Sequence, residues 1–210
     1  MKIAKLASLV ISISVLAACG GGGGDGAGTA KTPDGDNINL TLSDKGTIAG
    51  KTRDGILLGQ NNDYSFYGVW KNNAETLKEL RYQGERATNI PDSGVATYKG
   101  DAVWLSGYDK GFSKGGVTTL NVDFGAKTIE GNIKFSVFNG DEFRRDITLH
   151  KGGLSGAEFS GKASVVGNDS GRYEGALFGK DAKEAAGLVQ FEKANSLGMD
   201  LDVSFGGKKQ

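Results

Sequence analysis

Strict alternation of apolar and polar residues constrains this chain more than any other feature. In VTTLNVDF (117–124), Leu120, Val122 and Phe124 are apolar, while Thr119, Asn121 and Asp123 between them are polar. KTIEGNIKFSV (127–137) sets Ile129, Ile133, Phe135 and Val137 against Glu130, Asn132, Lys134 and Ser136. LGMDLDVSF (197–205) sets Leu197, Met199, Leu201, Val203 and Phe205 against Asp200, Asp202 and Ser204. A period of two is that of extended chain, whose successive side chains point to opposite faces. One dry face and one wet face belong to antiparallel sheet, so Asp200 and Asp202 are expected on a solvated outer face.

Further segments near 95–100, 102–107, 144–150, 157–166, 171–178 and 187–193 bring the count to eight or nine strands. Thirty-five glycines and only two prolines in 210 residues supply the many turns such a chain needs. Closing the sheet on itself removes its two edges. The expected fold class is therefore all-β: an eight-stranded antiparallel up-and-down barrel with a small β-rich N-terminal subdomain. Gly131, Gly161 and Gly175 share the inward phase of their strands, beside Ile129 and Ile133, Phe159 and Ala163, and Tyr173 and Leu177. Inward glycines let strands coil sharply and leave room for rings such as Trp104 or Phe135.

Residues 37–92 read as the smaller subdomain, and 93–210 as the barrel. NINLTLSDKGTIAG alternates through Ile38, Leu40 and Leu42 and then turns at Asp44-Lys45-Gly46, which predicts a hairpin. Two stretches carry helix-start signals. NNAETLKEL offers Asn72 as a cap with Glu75 three residues on and Leu77 and Leu80 on one face, and FGKDAKEAAG offers Asp181, Glu184 and a terminating Gly187. Tyr64, Phe66, Tyr67 and Trp70 fall within seven residues. Two readings compete for these rings. They form the core between the subdomain and the barrel, or some of them face outward as anchors for a partner, since Trp and Tyr dominate binding hot spots. Tyr108 and Phe112, in the polar stretch YDKGFSKGG, are further candidates for partner binding.

The first 36 residues are of another kind. MKIAKLASLVISISVLAA has a basic start in Lys2 and Lys5 and an apolar stretch from Leu6 to Leu16, too short to span a bilayer and suited to a secretory signal. Leu16-Ala17-Ala18-Cys19 resembles the lipobox of bacterial lipoprotein precursors. That resemblance implies cleavage before Cys19 and its modification by diacylglycerol and an N-acyl chain such as palmitate. Several acyl chains give stable membrane anchoring where one does not. Residues 19–36, opening with five glycines, read as a flexible tether. Gly20 is not the aspartate that retains such proteins at the inner membrane, so the resemblance implies an outer-membrane address in a Gram-negative cell.

Composition excludes several function classes. Removing residues 1–18 takes away Lys2 and Lys5 and no acidic residue from 25 basic and 25 acidic side chains, leaving a slightly acidic mature chain. That charge gives no footprint for nucleic acid. One histidine and one cysteine supply neither a Cys-His nucleophile pair nor a Cys/His metal cluster, so no catalytic residue is assigned and no enzyme is expected. In RRDITLH, Ile147 and Leu149 take the inward phase and His150 projects outward. It reads as a solvated histidine, with an axial haem ligand as the sharper alternative and haem as the one cofactor to consider.

A wider resemblance rests on motifs in order. Phe178-Gly179, Ala182, Glu184 and Gly187 match a phenylalanine-glycine…alanine-x-glutamate…glycine signature of the transferrin-binding protein B barrel superfamily. SGVATYKGDAV (93–103), NVDFGAKTIEGNI (121–133) and the terminal FGGKKQ are similar to segments of the same barrels, which include those of factor H-binding protein and the neisserial heparin-binding antigen. The resemblance implies a surface-displayed scaffold, exported by an outer-membrane translocon, that captures a host macromolecule. An iron or haem carrier such as transferrin or haemoglobin is the leading expectation. A complement regulator, or a structural role facing the periplasm, are the alternatives. The chain has room for one barrel, and no arginine-rich segment to imply heparin binding.

Overall fold

The computed structural model describes residues 26–105, 112–135, 145–192 and 200–210. Cys19, the signal segment, Tyr108 and the inward-phase Leu197 and Met199 lie outside them. Fourteen strands are formed, and no helix occurs among the described residues.

Eight of the strands close into an antiparallel barrel. In chain order they are β7 (Val95–Leu105), β8 (Phe112–Asp123), β9 (Thr128–Lys134), β10 (Ile147–Ser155), β11 (Glu158–Val165), β12 (Asn168–Phe178), β13 (Glu184–Phe191) and β14 (Val203–Lys209). Each pairs with its chain neighbour, and β14 pairs with β7 to complete the circle, Phe205 opposite Ala102. The segments expected near 95–100 and 102–107 are one strand, β7, whose register shifts between Gly100 and Ala102. The interior is a packed core of Tyr98, Trp104, Leu120, Ile129, Ile133, Phe159, Tyr173, Val189 and Phe205 with their neighbours. Trp104 and Phe135 meet edge to face with centroids 5.1 Å apart. Two of the inward glycines are covered by other rings than these, Gly161 by Tyr173 and Gly175 by Phe159, while Gly131 lies against Leu120 and the Thr119 carbonyl.

The N-terminal region holds a two-stranded ribbon, β1 (Thr29–Lys31) with β2 (Asn37–Asn39), and a four-stranded meander, β3 (Gly46–Thr52), β4 (Gly55–Asn61), β5 (Ser65–Asn72) and β6 (Lys78–Gly84). The expected hairpin across Asp44–Gly46 does not form. β2 pairs back with β1, β3 pairs forward with β4, and Leu42 between them is 84 % exposed. The tether is also shorter than its composition suggests. Ala27 and Ala30 are buried against Leu40, Leu57, Phe66 and Trp70, so residues 27–36 belong to the folded unit. Arg81 donates to the Lys31 carbonyl at 2.5 Å and Gln83 to the Ala27 carbonyl at 2.8 Å, which pins the ribbon to the meander.

Neither helix-start signal produces a helix. After β5, the Asn72 side chain accepts the N–H groups of Thr76 and Leu77, but Glu75 is left-handed with φ 57°. After β12, Asp181 and Ala182 are left-handed at 61° and 54°. A left-handed residue breaks a right-handed helix, and both connections are hairpin turns.

One carboxylate organises the turn joining β1 to β2. Asp34 accepts hydrogen bonds from the hydroxyls of Thr32 and Thr52 at 2.6 Å each, and from the Asp54 N–H at 2.7 Å. Burial alone would push its carboxyl up; the bonds from Thr32, Thr52, Asp54 and Asp36 outweigh it and hold the group well below the usual carboxylate range. A folded-state value below the unfolded one contributes stability above the unfolded value, near pH 4, that is lost as pH falls toward the folded value. Asp34→Asn is therefore expected to narrow the difference in Tm between pH 7 and pH 3, measured by circular dichroism.

Candidate functional site

The outer wall of β12, β13, β14 and β7 is not wet, because the meander covers it. Small outward residues, Ala176, Ala186 and Val103, let the meander approach closely, and Tyr67, Val69 and Phe178 fill the junction with Leu58, Tyr64, Leu80 and Tyr82 at its margin. Tyr67 donates its hydroxyl to Asp101; burial, then the Asp101 charge, push its phenol far up and keep it neutral. Asp202 is corrected from solvated to buried: it is 7 % exposed, accepts the Phe191 N–H at 2.9 Å and faces Lys78 at 3.4 Å. Lys78 also pairs with Asp200.

The opposite corner of the junction is held by Glu184, whose side chain is 2 % exposed. Its carboxylate accepts from the Asp63 and Tyr64 N–H groups at 3.1 Å each and from the Ser65 hydroxyl at 2.7 Å. Lys208 stands 3.9 Å away and bonds Asp63 at 2.8 Å. That bond, aided by the mutual attraction, lowers the Asp63 carboxyl and raises the Lys208 amine. The Tyr64 ring lies on Gly179, whose φ of +74° and covered α-carbon leave no room for a side chain. Ala182 offers its carbonyl to the Tyr98 hydroxyl at 2.7 Å. The Phe178-Gly179…Ala182-x-Glu184 signature is thus the socket into which the β4–β5 turn docks. Sequence reasoning missed that role. Its one available signal was an acidic residue opening the otherwise apolar run EAAGLVQF.

The candidate partner-binding rings are mostly interior. Phe66 is fully buried and Trp70 is 2 % exposed, both against the ribbon; Tyr67 is 1 % exposed, against the barrel. Tyr64 is half-buried at the junction, with the Lys183 amine 5.5 Å from its ring. Both faces of β5 carry rings because both are covered, so the surface-anchor reading does not hold for Phe66, Tyr67 and Trp70. Phe112 opens β8 opposite Leu105. His150 is exposed on the outer wall, with Nε2 2.8 Å from the Ser164 hydroxyl. No group of three His, Cys, Asp or Glu is placed to hold a metal among the described residues.

The two ends of the barrel differ. At one end lie the short turns 124–127, 156–157 and 179–183; at the other lie the connections 106–111, 135–146, 166–167 and 192–202. Recognition residues concentrate on such connections when a rigid scaffold carries them. Lys78 brings the β5–β6 turn to this second end, and Leu77 there is 57 % exposed, while Val166 on the β11–β12 turn is 77 % exposed. Elsewhere, a cavity of about 430 Å³ lies between Tyr82 and the outer wall, lined by Ser155, Glu158, Ser160 and Glu174. Burial, then the Glu174 charge, push the Tyr82 phenol up to about 12.

Comparison with known proteins bears on both units. A structure of HpuA from Kingella denitrificans in complex with human haemoglobin superposes with a TM-score of 0.65 at 19 % identity, over 87 % of this chain and 76 % of that one. A variant of transferrin-binding protein B from Haemophilus parasuis Hp5 gives 0.64 at 19 % identity, over 89 % and 41 %. The isotype 1 transferrin-binding protein B of serogroup B Neisseria meningitidis gives 0.60 at 16 % identity, over 89 % and 40 %. The chain therefore spans about two-fifths of the transferrin-binding proteins it matches. At these identities the likeness is one of fold, and it extends across meander and barrel. Residues 90–209 match the family described as the C-lobe and N-lobe β-barrels of transferrin-binding protein B, and the chain belongs to that family.

Proposed function

We propose that this protein is an outer-membrane lipoprotein, displayed at the cell surface, that binds a host iron or haem carrier protein for nutrient acquisition. The observation that carries the reading is the match of the docked meander and barrel together to HpuA, solved with haemoglobin, and to transferrin-binding protein B. Cys19 is assigned as the acylated residue, and export through a surface-lipoprotein translocon is part of the same proposal. The partner is assigned to the barrel end that carries the four longer or exposed connections, with Leu77 and Val166 as accessible apolar contacts. Exposed apolar side chains on a rigid rim provide the desolvated contacts from which binding energy is drawn.

Two experiments divide the reading. Protease shaving of intact cells is expected to remove the protein, whereas full protection places it on the periplasmic face. A pull-down with residues 20–210, immobilised through their N-terminal end, is expected to retain haemoglobin or transferrin. Retention of a complement regulator instead replaces the nutritional role with immune evasion.

A further inference from the structure

The turn between β2 and β3 is built to hold one apolar side chain in solvent. Asn61 is fully buried, and its amide donates to the carbonyls of Leu40 at 2.8 Å, Ser43 at 3.3 Å and Asp44 at 3.0 Å. Asn39 binds from the other side, accepting the Leu42 N–H on its side chain at 3.1 Å and the Ser43 hydroxyl on its carbonyl at 2.7 Å. Leu42, at the tip, is 84 % exposed, more than any other large apolar side chain described. The hydrogen bonds on both sides of the turn fix this residue outward.

The turn sits where the chain enters the folded unit. The Gly28 N–H donates to the Thr41 hydroxyl at 3.1 Å, and a β-carbon at Gly26 would run into the Thr41 side chain. Only residues 20–25 separate Gly26 from Cys19. The seven steps from Cys19 to Gly26 span at most about 25 Å, and a glycine-rich chain of that length has a typical reach of about 15 Å. The ends of the molecule are also fixed relative to this point. Asn61 borders the β4–β5 turn, which Glu184 and Lys208 hold at the short-turn end of the barrel, whereas Lys78 holds the β5–β6 turn at the other end.

We propose that the Leu40–Asp44 turn is a membrane-resting surface, with Leu42 seated in the headgroup region of the bilayer that anchors Cys19. This rests on the acylation of Cys19 assigned above. The occupant is a lipid surface because the length of chain between anchor and turn keeps that surface within reach at all times. A side chain held near a bilayer inserts without the translational cost of reaching it.

The test uses the full acylated protein, purified from membranes and reconstituted into phosphatidylethanolamine–phosphatidylglycerol vesicles. Leu42→Cys and Val166→Cys variants, each labelled with an environment-sensitive fluorophore, are compared for iodide quenching; the acylated Cys19 takes no label. The expected result is a blue-shifted label at position 42 with a quenching constant about threefold or more below that at position 166. The difference should vanish when the same variants are cleaved from their anchor. Equal quenching at the two positions in proteins that float with the vesicles overturns the seating alone. Failure to float, with a mass for Cys19 lacking acyl chains, overturns the anchor and the seating together.

Discussion

Replacing Glu184 by alanine is expected to detach the N-terminal meander from the barrel. The carboxylate is buried and is the acceptor for two backbone N–H groups and one hydroxyl of the β4–β5 turn. Removing it leaves those donors without a partner in a dry junction, and leaves Lys208 facing only Asp63. Each buried donor left unsatisfied costs about 1–3 kcal/mol, while Lys208, whose side chain is 53 % exposed, turns to solvent. Glu184→Gln should be intermediate in size, because its amide keeps the volume but presents N–H donors toward N–H donors. The chain carries one tryptophan in each unit, Trp70 in the meander and Trp104 in the barrel, and so reports on the two separately. With Trp70→Phe or Trp104→Phe in each background, the Trp70 signal of Glu184→Ala should change at lower urea concentration than the Trp104 signal. Coincident transitions at the parent midpoint would contradict the docking role.

The second large effect is expected inside the barrel. A side chain at Gly175 would place its β-carbon 2.3 Å from the tip of the Phe159 ring and 2.4 Å from the Ala186 carbonyl oxygen. The ring can turn, but the carbonyl belongs to the neighbouring strand and moves only if the β12–β13 register opens. Gly175→Val is therefore expected to lose about 3 kcal/mol or more, lowering Tm steeply or abolishing soluble expression. A smaller loss is expected for Ser160→Val, on the wet face of the adjoining strand. Equal Tm values for the two variants would contradict the account of barrel closure.

What could be read from the sequence was what depends on a single strand and its solvent. Ile129 and Ile133, or Leu120 and Val122, show the inward phase by themselves because the residues between them face water. The inward glycines and the barrel strands with a wet outer face followed from that pattern. Where a second layer covers the outer face the pattern disappears, and β13, with EAAGLVQF, gives no phase to follow. Asp202 was misplaced for the same reason: alternation says which face it takes, and only the meander decides whether that face is wet. The aromatic run of β5 was ambiguous because rings on both faces suit a strand sandwiched between two layers as well as one with an exposed face. The capping patterns at Asn72 and Asp181 were genuine hydrogen-bonding signals attached to the wrong element. The same side chains that start helices also close short turns. Glu184 acts on residues about 120 positions away, a contact that local pattern does not encode.

The central claim is that the barrel end bearing Leu77 and Val166 receives a host carrier protein. Its most direct test is the equilibrium affinity of the mature chain for haemoglobin and for transferrin, each compared with the double variant Leu77→Asp, Val166→Asp. Saturable binding of one carrier, weakened about tenfold or more in the double variant at unchanged Tm, is the predicted result. Binding that the double variant leaves intact would move the interface elsewhere on the surface, and absence of binding to either carrier would contradict the nutritional reading itself.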